Sequence, residues 1–345
     1  MKLLPRIKHD KFIISLTNLN DLEKEISAKG IRIYFLGLHK YNFLKIILKF
    51  KEIINKEKPD ILDTYLIHSN IFGRIFGKIF GVKIIINSVR NDYSDLKIYN
   101  FIDKYTRWLV DKYVPNSQAL VDYLHYKNNV SLKNIFVLPN GIELDKISNN
   151  LYGKDQIRSE LKLSNDSFIA VCVSRLRKHK NIVSLVSAMR YVNKKIILLL
   201  IGQDQGEKNN IIHIIDRYNL KNQVYLLGAR TDIQNILTGS DIFILPSLKE
   251  GMSNALLEAM AHKKCCVVSN IPQNTELVKH KQNGFIFNPK DELDIADKIE
   301  KAYNHKDLNE MALASYNIVK EKYDINIVAE LYDDFMNKMI KINYK

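Results

Sequence analysis

The sequence predicts an α/β fold made of two Rossmann-like, doubly wound domains that face each other across a cleft. Short apolar strands alternate with helical patterns along the chain, and the alternation occurs as two successive sets. Strands that are apolar without interruption belong to parallel sheets covered by helices on both faces. A chain of 345 residues is long enough for two such domains. The turn dipeptide Asn140–Gly141 lies near the predicted join.

The first set of strands is short and rich in isoleucine and aromatic residues. We expect these strands at 11–16, 31–37, 60–66, 83–89 and 135–138. The patterns between and around them predict helices at 20–29, 41–57, 69–80, 98–111 and 118–127. Residues 1–148 are therefore expected to form the first domain.

The second set is more strongly apolar. We expect its strands at 168–173, 195–201, 223–227, 241–245, 265–269 and 284–287, with helices between them. Residues 149–325 would form the second domain. The C-terminal tail is expected to be helical over 307–342. Residues 326–345 would form a helix that packs back toward the first domain. Ligands bind at the carboxyl ends of parallel strands, so polar residues that follow strands are the candidates for a site.

Composition points to a soluble globular protein with acidic partners. Apolar residues make up 46% and charged residues 26%, and the formal net charge is +14. Such a charge favours phosphates, nucleic acid or an anionic membrane surface, although a lysine-rich surface alone also explains it. The three cysteines have no zinc-binding spacing, and the adjacent Cys265 and Cys266 should point to opposite faces of a strand. No apolar run reaches the roughly 18 residues of a membrane span, and no signal peptide is expected.

Two glutamates mark one candidate site. Glu250 follows a predicted strand, and Gly251 would let a ligand approach the backbone closely. Ser253 or Asn254 is expected to cap the next helix. Glu258 lies inside that helix, eight residues after Glu250 and among apolar residues. A buried carboxylate needs hydrogen-bond donors, which sugar hydroxyls would supply; on spacing alone, a lysine partner or an outward-facing position is the simpler explanation.

Basic residues mark a second site. The segment "VSRLRKHKN", 173–181, ends a strand and contains Arg175 and Lys180, whose charges suit an anion. A solvated basic turn explains the segment as well. Gly202, at the end of another strand, would permit a tight turn over a ligand. The sequence contains no G-x-G-x-x-G and no P-loop motif, which counts against NAD and P-loop chemistry.

Polar residues also follow strands in the first half. His68 comes just after a strand that carries Tyr65, and Arg90 ends the next strand. His68 would act as a base or as a hydrogen-bond donor to substrate hydroxyls. A histidine bonded to the backbone at a helix start is the alternative.

Four segments together resemble glycosyltransferase family 4, retaining enzymes with the GT-B fold. They are "LPNGIELDKI", "VSRLRKHKN", "LLGARTDIQNILTGSDIFILPSLKEGMSNALLEAMA" and "ELVKHKQNGFIFNP". The paired glutamates of E-G-x6-E are the specific signature. The similarity runs from about residue 11 to the end and is strongest over 168–290.

The resemblance implies a role for each candidate residue. Arg175 and Lys180 would hold the donor diphosphate, Glu250 would contact the donor sugar, and Glu258 would accept the ribose hydroxyls. His68 would belong to the catalytic region. The remaining donor-site residues would be Gly202, Arg230, Gly251 and the backbone N–H groups of Met252, Ser253 and Asn254, with Tyr65, Arg90 and Glu276 as further candidates.

The resemblance also implies the reaction. A hexosyl or N-acetylhexosaminyl group would pass from a nucleoside-diphosphate sugar, with UDP favoured, to a lipid-linked saccharide acceptor with retention of configuration. The product would belong to capsule, O-antigen or lipopolysaccharide. No metal, other cofactor or nucleic acid is expected. The alternatives are a nucleotide-sugar epimerase and a non-catalytic or truncated glycosyltransferase-like protein.

The chain departs from the family pattern in three places. The family's first strand and its glycine-rich loop are not recognisable in "MKLLPRIKHDKFIISL", so the N-terminal domain is expected to be incomplete. Asp63 and Tyr65 stand where many relatives carry histidine. The segment "IPQNTE" before Glu276 replaces a common Gly-Gly pair.

The helix expected at 41–57 is amphipathic and basic. Its apolar face would either pack in a domain core or lie on an anionic membrane. Together with the net charge, it predicts a cytoplasmic protein that binds the inner face of the cytoplasmic membrane peripherally.

Overall fold

A computed structural model describes residues 3–18, 20–39, 42–93, 96–147 and 153–343. The chain divides into two compact units: unit 1 contains Met1–Gly141 and Ile325–Lys345, and unit 2 contains Ile142–Asp324. The domain boundary expected between residues 148 and 149 lies outside the described residues.

Unit 2 is built on a six-stranded parallel sheet, and all six strands predicted for this half of the sequence are confirmed. The strands are β6 (Phe168–Val173), β7 (Ile196–Ile201), β8 (Val224–Gly228), β9 (Ile242–Leu245), β10 (Cys265–Ser269) and β11 (Gly284–Phe287). Their spatial order is β11-β10-β9-β6-β7-β8. This is the doubly wound order, and it reverses between β6 and β9.

Helices cover both faces of this sheet. They are α6 (Gly153–Glu160), α7 (Ile182–Ala188), α8 (Lys208–Arg217), α9 (Ile233–Gly239), α10 (Asn254–Ala261), α11 (Pro272–Leu277), α12 (Glu292–Tyr303) and α13 (Leu308–Lys322). One core contains α7, α8 and α12, and the other contains α6, α9 and α10. Cys265 packs in the first core and Cys266 in the second, which confirms that they point to opposite faces. Each sheet residue therefore contributes to one core or the other, as a sheet buried on both sides requires.

Unit 1 contains two parallel sheets. β1 (Phe12–Ser15) pairs with β2 (Arg32–Phe35), and β3 (Ile61–Tyr65), β4 (Ile84–Val89) and β5 (Lys112–Pro115) form the second sheet in that order. The helices are α1 (Asn20–Ser27), α2 (Phe43–Glu57), α3 (Ile67–Ile79), α4 (Lys97–Thr106), α5 (Gln118–Asp122) and the C-terminal α14 (Ile325–Asn343).

One strand prediction in this unit is wrong. Residues 135–138 form no strand, and only Ile135 makes an isolated bridge, to Tyr113. The strand that pairs with β4 is instead β5, at Lys112–Pro115. No strand was predicted there, because the segment falls just after the helix expected at 98–111. The helix ends at Thr106, and Val114 of β5 is fully buried against β4. Tertiary burial of this short segment thus overrides its weak sequence pattern.

Helix α14 completes a core of unit 1. Its apolar side chains pack with Ile84 and Ile86 of β4, and Phe335 stacks on Phe136 with ring centroids 4.1 Å apart. Helix α2 contributes to a separate core, with Ile85 of β4. The two faces of β4 are therefore covered by different helices, one of which comes from the far end of the sequence.

Phe335→Ala should destabilise unit 1 by about 3–5 kcal/mol, because it removes a buried ring from a packed core. Ile342→Ala, on an exposed part of the same helix, is the matched control and should change the free energy of unfolding by less than about 0.5 kcal/mol. Urea unfolding of both variants measures the difference. Equal stability of the two variants would contradict a core role for α14.

Candidate active site

The loops after β6 and β9 meet at the point where the strand order of unit 2 reverses. The two strands are neighbours, so their carboxyl ends lie side by side. The backbone N–H of Leu248 donates to the carbonyl of His179 at 2.8 Å, which ties one loop to the other. Open α/β sheets bind ligands at this kind of position. The structure thus brings together the two segments in which Lys180 and Glu250 lie.

Lys180 and Glu250 form an ion pair between these loops. The Lys180 Nζ donates to Glu250 Oε1 at 2.6 Å, and only 17% and 9% of the two side chains are exposed. The Ser247 hydroxyl donates to the same oxygen at 2.6 Å. A largely buried carboxylate needs a counter-charge and hydrogen-bond donors, and Glu250 has both.

A chain of buried polar side chains extends behind Glu250. Asn274 Nδ2 donates to Ser269 Oγ at 2.9 Å, and the Ser269 hydroxyl donates to the Ser247 carbonyl oxygen at 2.5 Å. All three residues are almost fully buried. None of the three was predicted from the sequence, although small polar residues at the ends of apolar strands could have indicated them. They hold the loop that carries Glu250 in one position.

Helix α10 begins directly after this loop. The Ser253 hydroxyl accepts from the Leu256 N–H at 3.3 Å, which confirms one of the two predicted caps. The first N–H groups of a helix have no partner within it, and they carry the positive end of the helix dipole. An anion bound here would lie close to the segment Gly251–Ser253.

Glu258 lies on the outward-facing side of α10. Leu256, Leu257 and Ala259 are fully buried, whereas Glu258 is half-buried and shares a helix face with Asn254, one turn earlier. The Glu258 side chain is therefore not enclosed by the apolar residues next to it in the sequence. The Glu258 carboxylate is tolerated among apolar neighbours because it lies on this partly exposed stripe, where a ligand can reach it.

Arg175 and Gly202 lie in adjacent loops after β6 and β7. The Arg175 side chain is exposed and forms no ion pair with another described residue. Gly202 has φ +151°, and a Cβ atom there would lie 1.9 Å from the Ser174 carbonyl oxygen. The glycine is thus required by the close approach of two backbones, and it fixes the loop in which Arg175 lies.

The structure places Arg230, a predicted donor-site residue, and Glu276, a further candidate, in contacts of their own. The Arg230 guanidinium bonds both Asp232, through Nε at 2.8 Å, and Glu160, through Nη1 at 2.6 Å. Glu276 is half-buried in α11, and its charge adds to the burial that raises the pKa of Tyr323 to about 12. Neither contact involves Glu250 or Lys180.

A polar cluster lies at the carboxyl ends of β3 and β4 in unit 1. The Asp63 carboxylate accepts from Ser88 Oγ at 2.9 Å and from the Tyr332 hydroxyl of α14. Burial raises the pKa of Asp63, against the lowering effect of hydrogen bonds from tyrosine and serine. Arg90 lies over the Tyr65 ring, 5.1 Å from its centroid.

His68 lies beside this cluster, in the first turn of α3. Its ring is exposed and meets Tyr99 edge-on at 4.8 Å. Leu66, two residues before His68, has φ +71° and ψ 153°, a conformation that costs a non-glycine residue about 1–3 kcal/mol. Such strain concentrates at functional sites, and here it turns the chain sharply between Tyr65 and His68.

Within the described residues, no three histidine, cysteine, aspartate or glutamate side chains are grouped as a metal ion would need. None of the helices there combines the length and the apolarity needed to cross a bilayer.

Comparison with known proteins defines the class. Residues 153–317 match the family described as glycosyl transferases group 1, and residues 2–146 match glycosyltransferase family 4. The fold resembles the crystal structure of Anabaena HepE in complex with UDP-glucose, with a TM-score of 0.86 and 18% identity over 98% of this chain and 95% of that chain. The fold is that of the GT-B glycosyltransferases.

Two curated bacterial proteins are similar over most of the chain. The Escherichia coli UDP-Gal:α-D-GlcNAc-diphosphoundecaprenol α-1,3-galactosyltransferase is 28% identical over 312 residues, covering 85% of this chain and 80% of that protein. The Staphylococcus aureus capsular polysaccharide biosynthesis glycosyltransferase CapM is 26% identical over 319 residues, covering 87% and 82%. The chain belongs to glycosyltransferase family 4, and the resemblance read from its motifs is confirmed.

Gly202→Ala should destabilise unit 2 by about 1–3 kcal/mol more than Gly206→Ala, because only the first inserts a Cβ atom into neighbouring backbone. Both glycines have positive φ, but a Cβ atom at Gly206 meets nothing within 4 Å. Thermal unfolding of the two variants separates backbone strain from the clash. Equal losses would show that the close approach to Ser174 is not what requires glycine.

Proposed function

We propose that the protein transfers a hexosyl or N-acetylhexosaminyl group, with retention of configuration, from a UDP-sugar to a lipid-linked saccharide acceptor. The product would be a bacterial surface polysaccharide such as capsule, O-antigen or lipopolysaccharide. The observation that carries the proposal is the Lys180–Glu250 pair at the strand reversal of unit 2, directly before the N-terminus of α10.

The donor diphosphate fits the positive side of this site. The Lys180 ammonium has three donors, so it can keep its bond to Glu250 while donating to a phosphate oxygen. The exposed Arg175 adds a bidentate fork. The backbone N–H groups around Met252 and Ser253 add dipoles of the same sign. In the transition state, negative charge develops on the leaving diphosphate, and these fixed donors stabilise it without reorganising.

The two glutamates serve different parts of the donor. Glu258, accessible on α10, would accept hydrogen bonds from the ribose hydroxyls. Glu250, held by Lys180 and Ser247, would contact the donor sugar through the carboxylate oxygen that these residues leave available. A carboxylate fixed in this way orients the sugar for attack on the face from which the diphosphate leaves, with a phosphate oxygen assisting deprotonation of the acceptor. Attack from that face would retain the configuration of the transferred sugar.

The acceptor part of the proposal is supported by the relatives and by unit 1. The E. coli relative is named for transfer to a sugar on diphosphoundecaprenol. A Campylobacter jejuni relative, 29% identical over 176 residues that cover 50% of this chain and 45% of that protein, is also named for transfer to a sugar on diphospho-undecaprenol. Tyr65, His68 and Arg90 lie at the strand ends of unit 1 and would bind acceptor hydroxyls. A lipid-linked acceptor would place the protein peripherally on the inner face of the cytoplasmic membrane.

Glu258→Ala should weaken UDP binding about tenfold or more, because it removes charged acceptors for the ribose hydroxyls. Glu250→Ala should abolish transfer and leave UDP affinity within about threefold, because its carboxylate meets the sugar rather than the nucleotide. Glu310→Ala, on the exposed face of α13, is the control and should change neither.

Thermal unfolding with UDP, GDP and CMP at millimolar excess measures the binding arm; a ligand at a hundredfold excess over Kd adds about 2.7 kcal/mol. Release of UDP from a panel of UDP-sugars with a lipid-linked acceptor measures transfer. Stabilisation by GDP alone would overturn the UDP assignment. Unchanged transfer in both glutamate variants would overturn the site.

A further inference from the structure

One face of the helices in unit 1 carries large apolar side chains that remain exposed. Helix α4 and the 3-10 turn at Arg107–Leu109 present Ile98, Phe101, Tyr105 and Trp108, of which Ile98 and Trp108 are 73% and 79% exposed. Their spacing of three and four residues places Ile98, Phe101 and Tyr105 along one side of the helix, and Trp108 follows in the 3-10 turn. Amphipathic helices normally bury such a stripe, but α4 directs this one to solvent.

The exposed stripe belongs to a larger surface. Helix α3 packs against both α2 and α4. Helix α2 exposes Leu44, at 77%, and Leu48, and its Phe43 ring meets Phe72 and Phe76 of α3 edge-on. The "α2–α4 face" is defined here by its exposed apolar residues, namely Phe43, Leu44, Leu48, Ile79, Ile98, Phe101, Tyr105 and Trp108. Clusters of large apolar side chains on the surface of a soluble protein commonly mark a site of interaction with a protein or a membrane.

Positive charge accompanies the apolar side chains on α2. Lys45, Lys49 and Lys51 are exposed, and each lies within one turn of Leu44 or Leu48. The acidic Glu57 of the same helix is nearly buried and paired with Arg32. Lysines in these positions can reach around an apolar strip and leave their ammonium groups in water.

The same balance holds on α4. The Lys104 ammonium lies over the Tyr105 ring, 5.7 Å from its centroid. The acidic Asp103 faces inward, where it pairs with the buried Arg74 at 2.8 Å and with Arg107 at 3.2 Å. Of the charged residues that α2 exposes, Glu52 is acidic, whereas Lys45, Lys49, Lys51 and Lys56 are basic. The exposed side of both helices is therefore apolar with an excess of positive charge.

We propose that the α2–α4 face docks on an anionic lipid bilayer. Phe101 and Trp108 would enter the boundary between acyl chains and headgroups, where tryptophan and other aromatic residues are favoured. Lys45, Lys49 and Lys104 would contact lipid phosphates. Charge complementarity selects this occupant, since the chain carries a net charge of +14. The inference rests on the proposed lipid-linked acceptor for its biological purpose, and it assigns the membrane contact to specific helices.

The fluorescence of Trp108 can be used to test this proposal. Trp108 is the single tryptophan of the chain. The full-length protein is mixed with phosphatidylcholine vesicles that contain either no phosphatidylglycerol or a substantial fraction of it. We expect the Trp108 emission to shift to the blue on the anionic vesicles and to be quenched by lipids brominated in their acyl chains. Added salt should reduce vesicle binding, because it screens the lysines.

A variant tests the same surface without touching the reporter. Ile98→Ser combined with Phe101→Ser should weaken binding to anionic vesicles about tenfold or more, because it removes two apolar groups from the buried contact. Leu293→Ser, an exposed leucine of α12 in unit 2, is the control and should bind like the wild type. Stabilisation by UDP should be equal in all three proteins, which separates failure of docking from failure of the donor site.

Two results would overturn the proposal. Unchanged Trp108 emission on vesicles, in a protein that is folded and stabilised by UDP, would show that this face does not meet the bilayer. A blue shift that depends on protein concentration and occurs without vesicles would show that the face binds a second copy of the chain.

Discussion

The ion pair between Lys180 and Glu250 is the constraint on which the rest of the donor site depends. Both groups are largely removed from water, so each needs the other and additional hydrogen bonds to be tolerated. Ser247 supplies one such bond, and Ser269 fixes the backbone of Ser247. The loop after β9 is therefore held before any ligand arrives. A donor diphosphate would enter a site whose positive groups are already in place.

Topology explains why two residues 70 positions apart in the sequence meet. The winding of the sheet places β6 and β9 side by side, although β7 and β8 lie between them in the chain. Both loops then leave the sheet at the same edge and in the same direction. Gly202, in the loop after β7, lets the backbone of that loop approach Ser174 in the loop after β6. The site is thus a consequence of strand order, with a few side chains added to it.

Much of unit 2 could be predicted from its sequence because local and tertiary signals agree there. Its strands are continuous apolar runs, and Cys265 and Cys266 separate into two cores as strand geometry requires. Lys180 and Glu250 could be named because each follows a predicted strand and lies in a segment that resembles the family's motifs. The hydrogen-bond chain through Ser269 and Asn274 could not, since serine and asparagine after a strand are common and only the fold shows which of them connect.

Unit 1 was harder to predict for a physical reason. Strand β5 is four residues long and ends in a proline, so its pairing with β4 is decided by burial of Val114 and not by local pattern.

Which basic residues of unit 2 are available to bind a ligand could not be predicted from the sequence either. Arg230 resembles Arg175 in position and type, yet it is bonded to two carboxylates, whereas Arg175 is exposed. Availability of a charge depends on neighbours that are distant in sequence.

The central claim is that the positive groups beside Glu250 bind the diphosphate of the donor. Calorimetric titration with UDP and with UMP tests it most directly, since the two nucleotides differ by a single phosphate. We expect the wild type to bind UDP about tenfold or more tightly than UMP, in line with one or more charge-assisted hydrogen bonds. The preference should disappear when Arg175 and Lys180 are both replaced by alanine. Equal affinities in the wild type, or a preference that survives the double replacement, would contradict the account.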